Sequence, residues 1–412
     1  MKTVAIISEY NPFHLGHAYQ IKKIREELGD DTAIMAIMSG NYTQRGEMAI
    51  MDCYLRARAA VSCGVNLVLK LPFPFSSASA EYFATAGVSI ADKTGVVDVL
   101  SFGCENGSLD ALTIVAHNLE TEAYQKALSS IDDQSEKALG HAKRAELLYR
   151  RLFGDEHAHL LHLPNAMLGI EYLKALEKIG SDIKPHTVLR VGSGYNETEI
   201  KAGQAPSASA IRAYFRSDYG SPLYDEAAMM PRDALALYSH ARALGEMPVD
   251  INRLSNVFMA FLRNIIPCKD TVSPIAGDDG GLLHHLRRVA EESRDVSELI
   301  RNAGTKKYTD ARIRRVLFYA LLGVTAADIA EEPAYTQVLA FDDKGRSLLR
   351  AIRKRGQIEL LTKPADSDKL SPRAQAQAML DLRADALFSL AKPVAERGGA
   401  PYRRTPYHKE SF

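Results

Sequence analysis

Tryptophan is absent from the 412 residues, and cysteine is scarce: Cys53, Cys63, Cys104 and Cys268 are scattered without the spacing of a metal site. That excludes a disulfide-stapled scaffold and points to reduced, packing thiols of a cytoplasmic protein. An excess of charge is missing as well, 51 Lys and Arg balancing 51 Asp and Glu. No global field therefore recruits nucleic acid or membrane, and any such partner must be met by a local patch. No apolar run approaches the ~20 residues that span a bilayer, and no charged region leads into a signal-like stretch at the N-terminus. A soluble, cytoplasmic chain without a membrane partner is expected.

What is there is ordinary in composition, 46% hydrophobic and 25% charged, and long enough that two domains are the natural expectation. Strand-length apolar runs at Thr3–Ser8, Ala33–Met38, Val65–Leu71, Val96–Phe102 and Thr187–Val191 alternate with helical patterns at 17–28, 51–63, 78–93, 108–128 and 164–179. Hydrophobicity in those runs is continuous, which implies burial on both faces. The expected fold class is α/β: an N-terminal doubly wound, Rossmann-like parallel sheet over residues 1–218, with ligands at the carboxyl ends of its strands. Beyond about residue 220 no convincing strand is read. The patterns at 225–245, 250–266, 281–302, 308–323, 334–340, 345–355 and 372–391 predict an α-helical second domain over 219–398, and 399–412 reads as a poorly ordered tail.

The first strand runs into Asn11-Pro12-Phe13-His14-Leu15-Gly16-His17 and then a helix. Histidines three apart share one face of a first helical turn, and a helix N-terminus offers free N–H groups and partial positive charge to a phosphate. Gly16, without a Cβ, would let a ligand approach the backbone. A second anion-binding segment is Ser207-Ala-Ser209-Ala-Ile-Arg212, also read as a helix start. Asn165, beside Pro164, sits near the start of another helix, where it caps or touches a ligand. His157, His159 and His162 fit no single helical face, and no metal-ligating residues are expected there. Two basic blocks stand out, Arg301–Arg315 with six basic residues against Asp310, and Lys344–Arg355 with six and no acid. Such blocks in a neutral chain can grip a phosphate backbone.

Strand, Asn-Pro turn, H-x-G-H and helix together resemble the HIGH signature of the nucleotidyltransferase superfamily, and Ser207–Arg212 resembles its second phosphate-binding element. Over nearly its whole length the chain resembles the bacterial tRNA(Met) cytidine acetate ligase family. The segments that carry this are Glu9–His17, Met38–Glu47, Arg56–Ala60, Leu69–Phe73, Ser101–Glu105, Pro164-Asn165, Ser207–Arg212 and Thr305–Arg312. The resemblance implies ATP-dependent activation of acetate to acetyl-adenylate, then acetyl transfer to N4 of the wobble cytidine of elongator tRNA(Met), without a covalent acyl-enzyme. ATP would lie along Ile7, Ser8, Glu9, Tyr10, Asn11, Pro12, Phe13, His14, Leu15, Gly16, His17, Ala18, Tyr19 and Gln20 and meet Gly103, Asn165, Arg190 and Val191. His14, His17, Ser209 and Arg212 are the expected catalytic groups, Mg2+ would bridge the phosphates, and Lys306, Lys307, Tyr308, Arg312 and Arg315 would hold the tRNA. The family's pattern has Ser where Cys104 stands, Asp where Asn66 stands, and Lys-Trp where Cys53-Tyr54 stand. A small-molecule adenylyl- or cytidylyltransferase, and a non-catalytic nucleotide-sensing RNA-binding protein, are the rival readings.

Overall fold

In the computed structural model, residues 2–105, 108–130, 141–190, 206–217, 228–265 and 274–410 are described. Val191, Cys268 and the expected domain junction at 218/219 lie outside them.

Alternating along the first strand, β1 (Thr3–Ser8), Val4 and Ile6 enter one apolar core while Ala5 and Ile7 enter another. Side chains of a strand point to opposite faces with period two, so a run that is apolar at every position must be covered on both sides. That is what the helices do. α1 (Leu15–Leu28) and α2 (Cys53–Ser62) contribute to the Val4 core. α3 (Ala80–Lys93), α4 (Leu109–Glu120) and α5 (Pro164–Ile179) contribute to the Ala5 core. β1 is flanked by parallel neighbours, β2 (Ala33–Ser39) on one side and β4 (Val99–Cys104) on the other. β3 (Leu67–Leu71) extends the sheet beyond β2, and β5 (Lys184–Leu189) beyond β4, both parallel. The strand order therefore reverses between β1 and β4, and a doubly wound sheet opens its ligand crevice outside the carboxyl ends at that point.

Two expectations about the second half are corrected. Residues 334–340, read as helical, form β6 (Tyr335–Phe341), antiparallel to β3. β7 (Glu359–Leu361) and β8 (Tyr407–His408) add parallel to β6, so strands do follow residue 220 and belong to the same sheet. Y-T-Q-V-L-A-F is buried at every position but the last, with polar Thr336 and Gln337 among the buried positions, and a short run buried on both faces has no period that separates strand from helix. The stretch after Gly398 is held as well: Arg404 pairs with Asp52 at 3.3 Å and Glu396 at 2.5 Å, and β8 docks on β6.

The remaining helices are as expected in kind. α6 (Ala208–Arg216) follows the fifth strand, and α7 (Asp310–Leu322) with α9 (Pro372–Ser389) packs into a third apolar core shared with the loops after β2 and β3 through Tyr42 and Phe73. α8 (Asp343–Arg355) covers β2, β3 and β6. Lys70, fully buried in β3, reaches Asp381 and Asp385 on α9, both at 2.6 Å, and Asn41 donates to the same Asp385 at 2.7 Å. This network ties the helical half to the loop that follows β2.

Candidate active site

A cleft opens at the reversal point, lined from β1, its turn and α1, the loop after β2, Phe102 and Gly103 of β4, α5, Arg190 and the start of α6. The turn after β1 passes through Tyr10, whose φ of 44° is left-handed. His14 then caps α1: its Nδ1 accepts from Gly16 N–H at 3.0 Å, while His17 Nδ1 accepts from His14 N–H at 3.2 Å. The rings stack with centroids 3.8 Å apart.

This capping fixes the tautomer. With both Nδ1 atoms accepting, each neutral ring carries its proton on Nε2, so each is a donor without being a cation. Burial, helped by Arg190 and Arg212, pushes the His14 pKa down to about 3. Burial, then His14 and Arg190, pulls His17 well below the ordinary value. One expectation about the helix start changes accordingly. The first-turn amides are occupied within the protein, Leu15 N–H by Met229 O at 3.2 Å, Gly16 N–H by the His14 ring and His17 N–H by His14 O at 3.0 Å. Gly16 also makes room for the cap, because a Cβ there would lie 2.8 Å from His14 Cε1.

On the opposite flank Ser207 is the N-cap of α6, accepting from Ala210 N–H at 3.1 Å. Ser209 Oγ accepts from Arg212 at 3.0 Å, and the other arm of Arg212 reaches Asn11 O at 3.0 Å. The guanidinium thus bridges the two segments singled out in the sequence. Arg190 lies across the end of β4, where a Cβ on Gly103 would stand 3.1 Å from its Cγ. Asn165 is held by Glu105, which accepts from its backbone N–H at 3.0 Å and from its Nδ2, and from Ala166 N–H at 3.0 Å. His14, His17, Ser209, Arg212, Gly103, Asn165 and Arg190 therefore share one cleft with Ile7, Ser8, Glu9, Tyr10, Asn11 and Gln20. Phe13, fully buried, supports the histidines from behind and does not line it.

Arg56 is the residue that sequence reasoning undervalued. Fully buried, it has no carboxylate partner among the described residues and donates to the carbonyls of Glu9 at 2.5 Å, Ser39 at 3.2 Å, Gly40 and Met51 at 3.2 Å. It fastens the carboxyl ends of β1 and β2 together. Its signal was an arginine inside an alanine-rich, otherwise apolar helix face. Of the departures noted, Asn66 bonds Ile34 N–H and Asp342 at 2.8 Å each, Cys104 is buried, and Tyr54 accepts from Gln337 at 2.6 Å. None of the four lines the cleft.

The first basic block borders the cleft. Arg315 donates to Gln44 O at 2.7 Å, and Arg314 meets Glu47 at 3.4 Å. A Cβ on Gly46 would stand 2.9 Å from Ala311 O, so the loop after β2 lies directly on α7. Arg315 is thus committed to this loop. Lys307, Arg312 and Tyr308 converge on Asp279, at 2.7, 3.3 and 3.2 Å, and Lys306 is exposed. The lysine and arginine hold the Asp279 carboxyl down to about 2. The second block lies elsewhere. Gly345 packs on Asn66 before β3, and Arg355 on Gly95 before β4, so α8 runs along the amino ends of the strands, opposite the cleft. Among the described residues no group of three His, Cys, Asp or Glu could hold a metal ion, and His162 bonds Glu146. No described helix is long and apolar enough to cross a membrane.

The HIGH Nucleotidyl Transferase family matches residues 1–400. The tRNA(Met) cytidine acetate ligase of Acetivibrio thermocellus is 32% identical over 419 aligned positions, covering 98% of each chain. That of Thermoanaerobacter pseudethanolicus is 35% identical over 397, covering 95% of this chain and 96% of its own. The crystal structure of Thermotoga maritima TmcAL superposes with a TM-score of 0.90 at 28% identity over all of both chains. Its form bound with alpha-thio ATP superposes at 0.88.

Proposed function

The chain belongs to the tRNA(Met) cytidine acetate ligase family of HIGH-motif nucleotidyltransferases, and from that premise we propose that it activates acetate with ATP to acetyl-adenylate and passes the acetyl group to N4 of the wobble cytidine in elongator tRNA(Met). The observation that carries this reading is the pairing of two neutral Nε2–H donors, on His14 and His17, with Arg212 and Ser209 across one cleft. When the carboxylate of acetate attacks the α-phosphorus, charge moves onto the phosphoryl oxygens and the departing pyrophosphate. Groups already aimed there stabilise that charge without reorganising. The histidines serve as donors, Arg190 and Arg212 as cations, and Arg56 keeps the two loop ends from drifting.

Among the described residues Glu9 and Glu47 are the carboxylates lining the cleft, and Glu47 lies 4.0 Å from Arg212 and 3.4 Å from Arg314. That donor set fits magnesium carried in on the phosphates rather than caged by the protein. When bound it would supply neutralisation of the triphosphate charge. The second step needs an amine held against an activated acyl carbon, and positioning alone serves that purpose. Residues 1–218 would run the chemistry while the helices of 219–398, through Lys306, Lys307, Tyr308 and Arg312, hold the anticodon stem in the cytoplasm; Arg315 would act through the loop it binds.

Labelled ATP, acetate and tRNA(Met) in one incubation test the proposal. Acetylated tRNA, with acetate-dependent pyrophosphate exchange, is the expected result. Removing one donor by His17→Ala should slow exchange about 10²–10³-fold. A dinucleotide-like product, or full exchange by His17→Ala, would overturn it.

A further inference from the structure

Glu9 does not belong with the anion-binding groups around it. Its neighbours in the cleft, His14, His17, Arg190, Arg212 and Ser209, all receive negative charge, and a carboxylate beside a triphosphate is repelled by it. Glu47, the other carboxylate in the cleft, is balanced by two arginines. Among the described residues the Glu9 carboxylate has one hydrogen bond: its Oε1 accepts from Gln44 N–H at 2.9 Å. The carboxylate is therefore oriented, with Oε2 left for something that enters the cleft.

The residue whose N–H orients it is held through its own carbonyl. Gln44 O accepts from Arg315 on α7, beside the basic block. Glu9 thus stands where the β1 end meets the loop seated on that helix, the side from which a polyanionic acceptor would arrive. A lone carboxylate oxygen matches the amino group of cytosine, which offers N4–H; uracil offers only an acceptor at that position.

We propose that Glu9 is a catalytic residue of the transfer step, its Oε2 accepting a hydrogen bond from the N4 amino group of the acceptor cytidine and taking that proton as the acyl group arrives. This rests on the acyl-adenylate reading above. The N4–carbonyl bond forms and the carbonyl carbon–oxygen bond to the phosphate breaks, with AMP leaving on the electron pair of that bond. The proton shed by nitrogen goes to Glu9 and then to solvent, so charge and atoms balance without another reactant. Burial raises the proton affinity of Glu9, and the surrounding charges are mixed: Arg212 from α6 and Arg56 from α2 oppose the rise, Glu47 adds to it. A carboxyl shifted upward is a better base at neutral pH than an exposed one.

The test compares two rates in one protein. Glu9→Gln keeps an acceptor for Gln44 N–H and so keeps the loop. Acetate-dependent ATP–pyrophosphate exchange reports adenylate formation, and single-turnover transfer to tRNA(Met) between pH 5.5 and 8.5 reports the second step. The expected result is a transfer rate reduced on the order of 10²–10³-fold relative to exchange, with the acid limb of its pH profile lost and partly restored in Glu9→Asp. Exchange and transfer falling together would overturn the proposal, since Glu9 would then serve the nucleotide. Transfer undiminished relative to exchange, or an unchanged acid limb, would overturn it as well. Wild-type protein that exchanges pyrophosphate but acetylates no tRNA would instead sink the parent reading, and this proposal with it.

Discussion

At the scale of residues, His14 and His17 carry two duties at once, since the nitrogen that caps the helix decides which nitrogen faces the cleft. The spacing H-x-x-H was legible in the sequence, and so was the approach of Ser209 and Arg212. The proton's location was not, because it depends on the extended backbone at His14 that lets Nδ1 turn back to Gly16. The lowered His14 pKa has a consequence for stability. Its folded-state value, about 3, lies below the usual 6.5 of the unfolded chain, so below pH 6.5 the unfolded state binds the extra proton. Stability associated with this group is intact above that pH and is lost as pH falls from about 6.5 toward 3. His14→Asn keeps a capping oxygen for Gly16 N–H and removes the titrating ring. Urea denaturation should then show a shallower fall in stability between pH 6.5 and 5, while adenylate formation drops about 10²-fold for want of the Nε2 donor. An unchanged pH slope would mean that His14 is charged in the folded protein.

At the scale of elements, the loop over Thr43–Glu47 has two clients. It donates to Glu9 on the cleft side and receives Arg315 and Arg314 from α7. Parallel strands such as β1 and β2 were legible because a run apolar on both faces has few other homes. β6 escaped because Thr336 and Gln337, buried yet polar, interrupt its run and remove the uniform apolar signal. The contact of this loop with α7 was illegible for a different reason: it joins residues 271 apart, and glycine at 46 declares a turn without naming what lies against it. Lys70 was half legible, since a lysine within L-V-L-K-L must find buried carboxylates, though only the fold places them on α9. Arg315→Ala tests the loop's dependence on its helix. Losing a charged hydrogen bond there should lower stability by about 1–3 kcal/mol. Transfer to tRNA should fall about tenfold in kcat/KM, with KM for ATP within about twofold. Steady-state kinetics with each substrate varied separates these, and a larger effect on ATP than on tRNA would mean the loop serves the nucleotide first.

At the scale of the whole molecule, the cleft and the two basic blocks divide the sheet between them. The block at Arg301–Arg315 borders the carboxyl edge, where the chemistry is proposed, and α8 lies along the amino edge. In sequence the two looked equivalent, six basic residues each, because charge runs carry no information about which edge of a sheet they reach. Asp279 also tempers the first block by pairing with Lys307 and Arg312. A tRNA whose anticodon enters the cleft meets the first block and not the second. Reversing charge at Lys306, Lys307 and Arg312 should weaken tRNA(Met) binding at least tenfold near 0.1 M salt and flatten the slope of log affinity against log salt by about 2–3. Asp279→Asn should strengthen binding severalfold by releasing both cations. Reversing Arg350, Arg353 and Lys354 should leave affinity within about twofold. Filter binding across a salt series distinguishes the edges: if the α8 variant loses affinity and the α7 variant does not, the tRNA crosses the sheet at its amino edge, and its anticodon cannot reach Glu9 or the histidines from there.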